Sequence, residues 1–200
     1  MTKFNMFIAA FAMIILAFTN EVSAQMMTPV ASPAASISQN VGFTKISIDY
    51  SSPAVKGRKI FGEIEKYEVT WRAGANAATT IEFSTMVNIG GKNIRPGKYT
   101  LFMTPRANGE WTVRLNSKGN SVFAYMKDGK IDEEALAKDD VVTVNVKAEP
   151  TTSTYERLQY AISAEDNKVA KITMKWENVK VSFMVDTQVD QKMEGFKNAF

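Results

Sequence analysis

Residues 170–185, AKITMKWENVKVSFMV, carry the reading that decides the fold. Ala170, Ile172, Met174 and Trp176 fall on one side of an extended chain, and Lys171, Thr173 and Lys175 on the other. Val179, Val181, Phe183 and Val185 complete the series. Successive side chains of a strand point to opposite faces, so alternation with a period of two marks a strand with one buried side. The same signature recurs upstream. Ile46, Ile48 and Tyr50 share a face of KISIDY (45–50), and Ile81 and Phe83 alternate with Thr80 and Glu82. Trp111, Val113 and Leu115 form another inward set, as do Val142, Val144 and Val146, and then Leu158, Tyr160 and Ile162. These positions are rich in β-branched and aromatic residues, which suit a pleated, half-buried surface. Trp111, Trp176, Tyr160 and Phe183 therefore read as core and not as a ligand-stacking box.

Turn chemistry separates the strands. Gly90-Gly91 between two short apolar runs is a two-residue hairpin signal. Arg95-Pro96-Gly97-Lys98, Asn108-Gly109, Asp128-Gly129 and Glu165-Asp166-Asn167 are further turns. Short strands joined by regular turns predict an all-β fold, an antiparallel β-sandwich. Two helices complete it. Asp132–Lys138 places acids at its start and Lys138 at its end, matching the helix dipole. In the tail 187–200, Val189, Met193, Phe196 and Phe200 share one helical face, expected to dock on the sandwich because so short a helix is marginal alone.

The N-terminus reads as an export signal. Lys3 precedes the apolar run Met6–Phe18, and Val22-Ser23-Ala24 offers small residues for cleavage. That run is shorter than the roughly 20 residues that span a bilayer, so no transmembrane anchor is expected. The expected division is a cleaved signal peptide (1–24), a flexible lead-in (25–35, QMMTPVASPAA), a sandwich domain (36–186) and a C-terminal helix (187–200), in a periplasmic or extracellular protein.

Composition excludes several chemistries. Hydrophobic residues make up 45% and charged residues 22%, which places the chain among folded globular proteins. The chain holds no Cys and no His, which removes disulfides, Cys/His metal sites, thiol nucleophiles and imidazole acid–base schemes. No metal, cofactor or catalytic residue is expected. The net charge is +3, with lysines spread along the chain and not massed in a block, so nucleic acid is not an expected partner.

One stretch resists the alternation: residues 50–79, YSSPAVKGRKIFGEIEKYEVTWRAGANAAT. A long irregular segment inside a compact β domain is often functional. Tyr50, Lys56, Arg58, Trp71, Arg72 and Asn76 are the candidate binding residues. Arg supplies a planar donor fork for an anion, Asn both donates and accepts, and Trp stacks on a sugar face. The expected function is a non-catalytic domain binding a small polar, anionic or glycan ligand, or an envelope partner. Two rival readings stand beside it. In a structural protein Arg58 and Arg72 would pair with Asp49, Glu63 or Glu68. In a glycan hydrolase two carboxylates among Asp49, Glu63, Glu65 and Glu68 would flank the scissile bond.

The same stretch carries a resemblance. Ser32–Ser36, Tyr50–Pro53, Lys56–Gly62, Trp71–Asn76, Pro96–Phe102 and Trp111–Val113 together resemble the bacterial domain-of-unknown-function 2911 family, over about residues 32–185. The chain departs from the family pattern at Ser52 and Ala73, where relatives often carry Arg and Thr. The resemblance implies an exported β-sandwich-like domain and no established activity.

Overall fold

The computed structural model describes residues 28–198; the expected signal segment 1–24 and Phe200 lie outside them. The strands are β1 (Ala34–Val41), β2 (Thr44–Ser51), β3 (Thr80–Phe83), β4 (Val87–Ile89), β5 (Lys92–Ile94), β6 (Gly97–Thr104), β7 (Glu110–Asn116), β8 (Met126–Lys127), β9 (Lys130–Ile131), β10 (Asp140–Ala164) and β11 (Val169–Asp186). The helices are α1 (Glu133–Lys138) and α2 (Val189–Lys197), with a 3-10 turn at Val122–Tyr125. Nine strands form one antiparallel sheet in the order β1-β2-β3-β6-β7-β10-β11-β4-β5, and β8-β9 is a separate ribbon. The expected all-β antiparallel fold with a short and a C-terminal helix is the one observed.

Its two layers are one sheet folded over. β10 pairs with β7 along 140–147 and with β11 from 148 to 164, so it belongs to both layers. Register shifts between Pro150 and Tyr155 and between Tyr155 and Gln159 let it bend. In β11 the buried positions change parity, from Ala170, Ile172, Met174 and Trp176 to Val181, Phe183 and Val185. Glu177, at φ 55° and paired with Tyr155, sits at that change, and the surplus residues of the irregularity lie on the β10 side. The chain after β2 then returns to β10: Val55 N–H donates to Glu156 O (2.7 Å) and Leu158 N–H to Pro53 O (3.0 Å). These bonds tie the two layers together at one end.

The core between the layers contains every inward set named from the sequence. Ile46, Ile48, Ile81, Phe83, Trp111, Val113, Leu115, Leu158, Ile172 and Trp176 are all 2% exposed or less. An aromatic group sits at its centre. Trp71 stacks on Trp176 (centroids 5.8 Å apart), and Phe61 meets Trp111 edge-on at 4.8 Å. Burying each indole contributes about 4–6 kcal/mol of transfer free energy, as an upper figure against an extended chain. Gly90 and Gly91 both take positive φ (57° and 84°), as a tight hairpin between β4 and β5 requires.

α1 is capped as its sequence predicts: the Asp132 carboxylate accepts from Ala135 N–H, and Leu136 is buried. α2 buries none of its residues fully. It is held by Lys192, whose ammonium donates to Thr85 Oγ1 (2.6 Å), Met86 O (2.9 Å) and Thr187 O (2.6 Å). Phe196 meets Phe43 edge-on at 5.9 Å.

Candidate functional site

The irregular stretch 50–79 is threaded through the core more than it is displayed. Tyr50 is buried, its ring edge-on to Tyr160 at 5.0 Å. After the closing bridge to β10 the chain turns at Lys56-Gly57, where Lys56 N–H donates to the Glu156 carboxylate (2.9 Å). Arg58 folds back on this turn and donates to Val55 O (3.0 Å) and Ala54 O (2.7 Å). Ile60 and Phe61 then plunge into the core. Trp71 pairs through its backbone with Met103 of β6, and its indole N–H donates to Gly74 O (2.9 Å). Asn76, at φ 54°, donates to Ser32 O (3.0 Å) and pins the entry to β1.

The six sequence-predicted residues therefore do not converge. Trp71 and Arg72 line one cavity of about 510 Å³; Tyr50 lines a shallower outer groove with Ala34–Ser36, Asp49 and Ala77–Ala78. Lys56, Arg58 and Asn76 line neither. Nor do the expected ion pairs form. Asp49 pairs with Lys98 (2.9 Å) and Glu68 with Arg106 (3.1 Å), while Arg58 is committed to backbone carbonyls. Arg58 is exposed but engaged, and Arg72 is the arginine left without a carboxylate.

The larger cavity lies between Glu65–Arg72 and the stretch Val122–Glu133, which follows β7. That second wall is rigidly mounted. Phe102, Val122, Tyr125 and Leu136 form a small core of their own, and the Tyr125 hydroxyl donates to the Asp139 carboxylate (2.9 Å). Arg114, on β7, grips both Asp140 (2.8 Å) and Glu133 (3.1 Å) beneath it. Asp128 and Gly129 at positive φ (52° and 77°) close the β8-β9 ribbon and set Met126 and Ile131 against the cavity. Val69, Trp71, Phe123, Met126 and Ile131 supply an apolar lining.

Five ionisable groups join that lining: Glu65, Glu68, Arg72, Lys130 and Glu133. Glu68 pairs with Arg106, and Glu133 shares Arg114 with Asp140. Among the described residues Arg72 and Lys130 have no carboxylate partner. The Arg72 Nε–H is buried without a hydrogen-bond acceptor, and its guanidinium lies over the Phe123 ring, 5.1 Å from the centroid. Burial pushes the Glu65 carboxyl up to about 7, with the charge of Arg72 pulling the other way. Glu65 was visible in the sequence only as one of several acids, and Phe123, Met126 and Ile131 not at all; two exposed apolar residues beside an Asp-Gly turn were the available signal.

The described residues hold no cluster of three acidic side chains fit for a metal ion, and no helix among them is long and apolar enough to cross a membrane. The model of a family described as "Protein of unknown function (DUF2911)" matches residues 32–185. No curated protein and no solved structure matches the chain.

Proposed function

The chain belongs to the DUF2911 family of proteins of unknown function, and from that premise we propose that it is an exported, non-catalytic domain that holds a small molecule with an apolar body in the cavity between Glu65–Arg72 and Val122–Glu133. The observation that carries this reading is the cavity itself. Its volume of about 510 Å³ falls in the range of small-molecule sites, about 300–1,000 Å³, and its lining is apolar with a few polar groups facing in. Export rests on the apolar run Met6–Phe18 and the small residues before Gln25. A glycan hydrolase needs an acid and a second carboxylate free to act, and two of the three carboxylates lining the cavity are held by arginines.

Phenylnaphthylamine, a neutral dye that brightens in apolar surroundings, tests the cavity. The parent protein should bind it saturably, one per chain. Met126 is exposed and lines the cavity, so Met126→Trp should block the dye and melt like the parent. A parent that shows no saturable brightening overturns the reading.

A further inference from the structure

We propose that the occupant of this cavity is a monocarboxylate with a hydrocarbon body, its head group seated between Arg72 and Glu65. The proposal rests on the cavity reading above and adds the head group.

The geometry leaves a gap of the right kind. Arg72 and Glu65 line the same space, and the charge of one is felt by the other, yet no ion pair or hydrogen bond joins them. A buried guanidinium N–H without an acceptor is rare, because the lost hydration is not replaced. The Nε–H itself is sealed from the cavity, but Arg72 lines that space and no carboxylate among the described residues pairs with it. An acceptor for the rest of its guanidinium can therefore come from the cavity, and a charged one forms the stronger bond. The charges facing Glu65 select its sign. Glu68 is matched by Arg106, and Glu133 and Asp140 share Arg114; with the two cations Arg72 and Lys130 against that one surplus carboxylate, the lining stays positive while Glu65 is neutral.

Glu65 then decides between one negative charge and two. A neutral carboxyl donates its O–H to the ligand carboxylate while Arg72 donates from the other side. An ionised Glu65 repels the same ligand, since two carboxylates sharing a site cannot both carry charge cheaply. The neutral form already prevails below about pH 7, so no proton moves there on binding. Above that pH the complex takes one proton from solvent onto Glu65. Val69, Phe123, Met126 and Ile131 receive the hydrocarbon body.

Displacement of phenylnaphthylamine by decanoate, decanol, decylamine and decyl phosphate reads the head group. Decanoate should displace the dye best. Its affinity should be flat from about pH 5.5 to 6.5 and fall about tenfold per pH unit above about 7, as uptake of one proton requires. Decanol should be weaker and insensitive to pH. Glu65→Gln keeps a donor that does not titrate, so decanoate should bind it with no slope in pH. Arg72→Gln should erase the advantage of decanoate over decanol; should that variant fail to fold, the slope in the parent and its loss in Glu65→Gln still decide. Equal displacement by decanol and decanoate, a flat decanoate profile in the parent, or stronger binding of decyl phosphate each overturns the proposal. Dye binding with any of those results leaves the cavity reading standing; absence of dye binding removes that reading first.

Discussion

Replacing Glu65 by Gln should make the unliganded protein more stable at alkaline pH and leave it unchanged in acid. An ordinary glutamate ionises near 4.5, and in the folded chain burial against the cavity wall moves Glu65 to about 7. Between those values the unfolded chain has lost the proton and the folded chain still holds it. The folded state therefore binds more protons, and stability falls as pH rises through that window. Each pH unit of separation is worth about 1.4 kcal/mol, so the full penalty is about 3 kcal/mol, an upper figure because the side chain keeps some contact with water. It is absent below about pH 4.5 and complete above about pH 7.

Gln has nearly the same shape and no charge, so it escapes the penalty. Urea unfolding of parent and Glu65→Gln at steps from about pH 4 to about pH 9 would give the difference in stability at each step. Asp140, pushed up by burial, adds a pH dependence of its own, but it is present in each protein and cancels in the difference. The expected curve is a constant in acid, a rise in favour of the variant between about pH 4.5 and 7, and a plateau of up to about 3 kcal/mol. A difference that stays constant across the whole range would mean that Glu65 titrates as an exposed carboxyl, and the proton-linked seat for a carboxylate would lose its donor.

Trp111→Ala and Trp176→Ala should each cost about 3–5 kcal/mol, seen as a marked drop in melting temperature, because both indoles are 2% exposed and contact Phe61. Arg114→Leu should cost about 3–5 kcal/mol in a urea melt, since it strands the buried carboxylate of Asp140; a loss under 1 kcal/mol would show that water replaces the guanidinium. Intact-mass measurement on the exported protein should find a chain beginning at Gln25, and a species retaining residues 1–24 would refute cleavage after Ala24.

The strands were legible because each has one wet and one dry side. Ile46, Ile48, Trp111, Val113, Ile172 and Trp176 announce their face by period alone, and burial agrees at every one. Alternation is a local property, and it stops being informative where an element bends. The change from even to odd buried positions in β11 is plain in the letters on either side of Glu177, but only the pairing with Tyr155 shows that both halves are one strand. β1 has the opposite difficulty: AASISQNV holds two large apolar residues, so its alternation is too faint to mark a strand.

The candidate site failed to be legible for a different reason. Irregular sequence in 50–79 was evidence that the stretch does something other than pair, and two outcomes share that signature. Polar residues can be displayed to a ligand, or they can satisfy the backbone that an irregular path leaves unpaired. Arg58 and Asn76 did the second, donating to the carbonyls of Ala54 and Val55 and of Ser32, while at Lys56 it is the Glu156 carboxylate that meets the backbone N–H. Arg72 differs because the strand-like pairing of Trp71 with Met103 already satisfies the local backbone, leaving its side chain with nothing to cap. A wall contributed by Phe123, Met126 and Ile131, some fifty residues away, turns that leftover donor into a lined cavity. Charge in this chain is thus informative where it has no structural duty, and only the folded backbone says which charges have one.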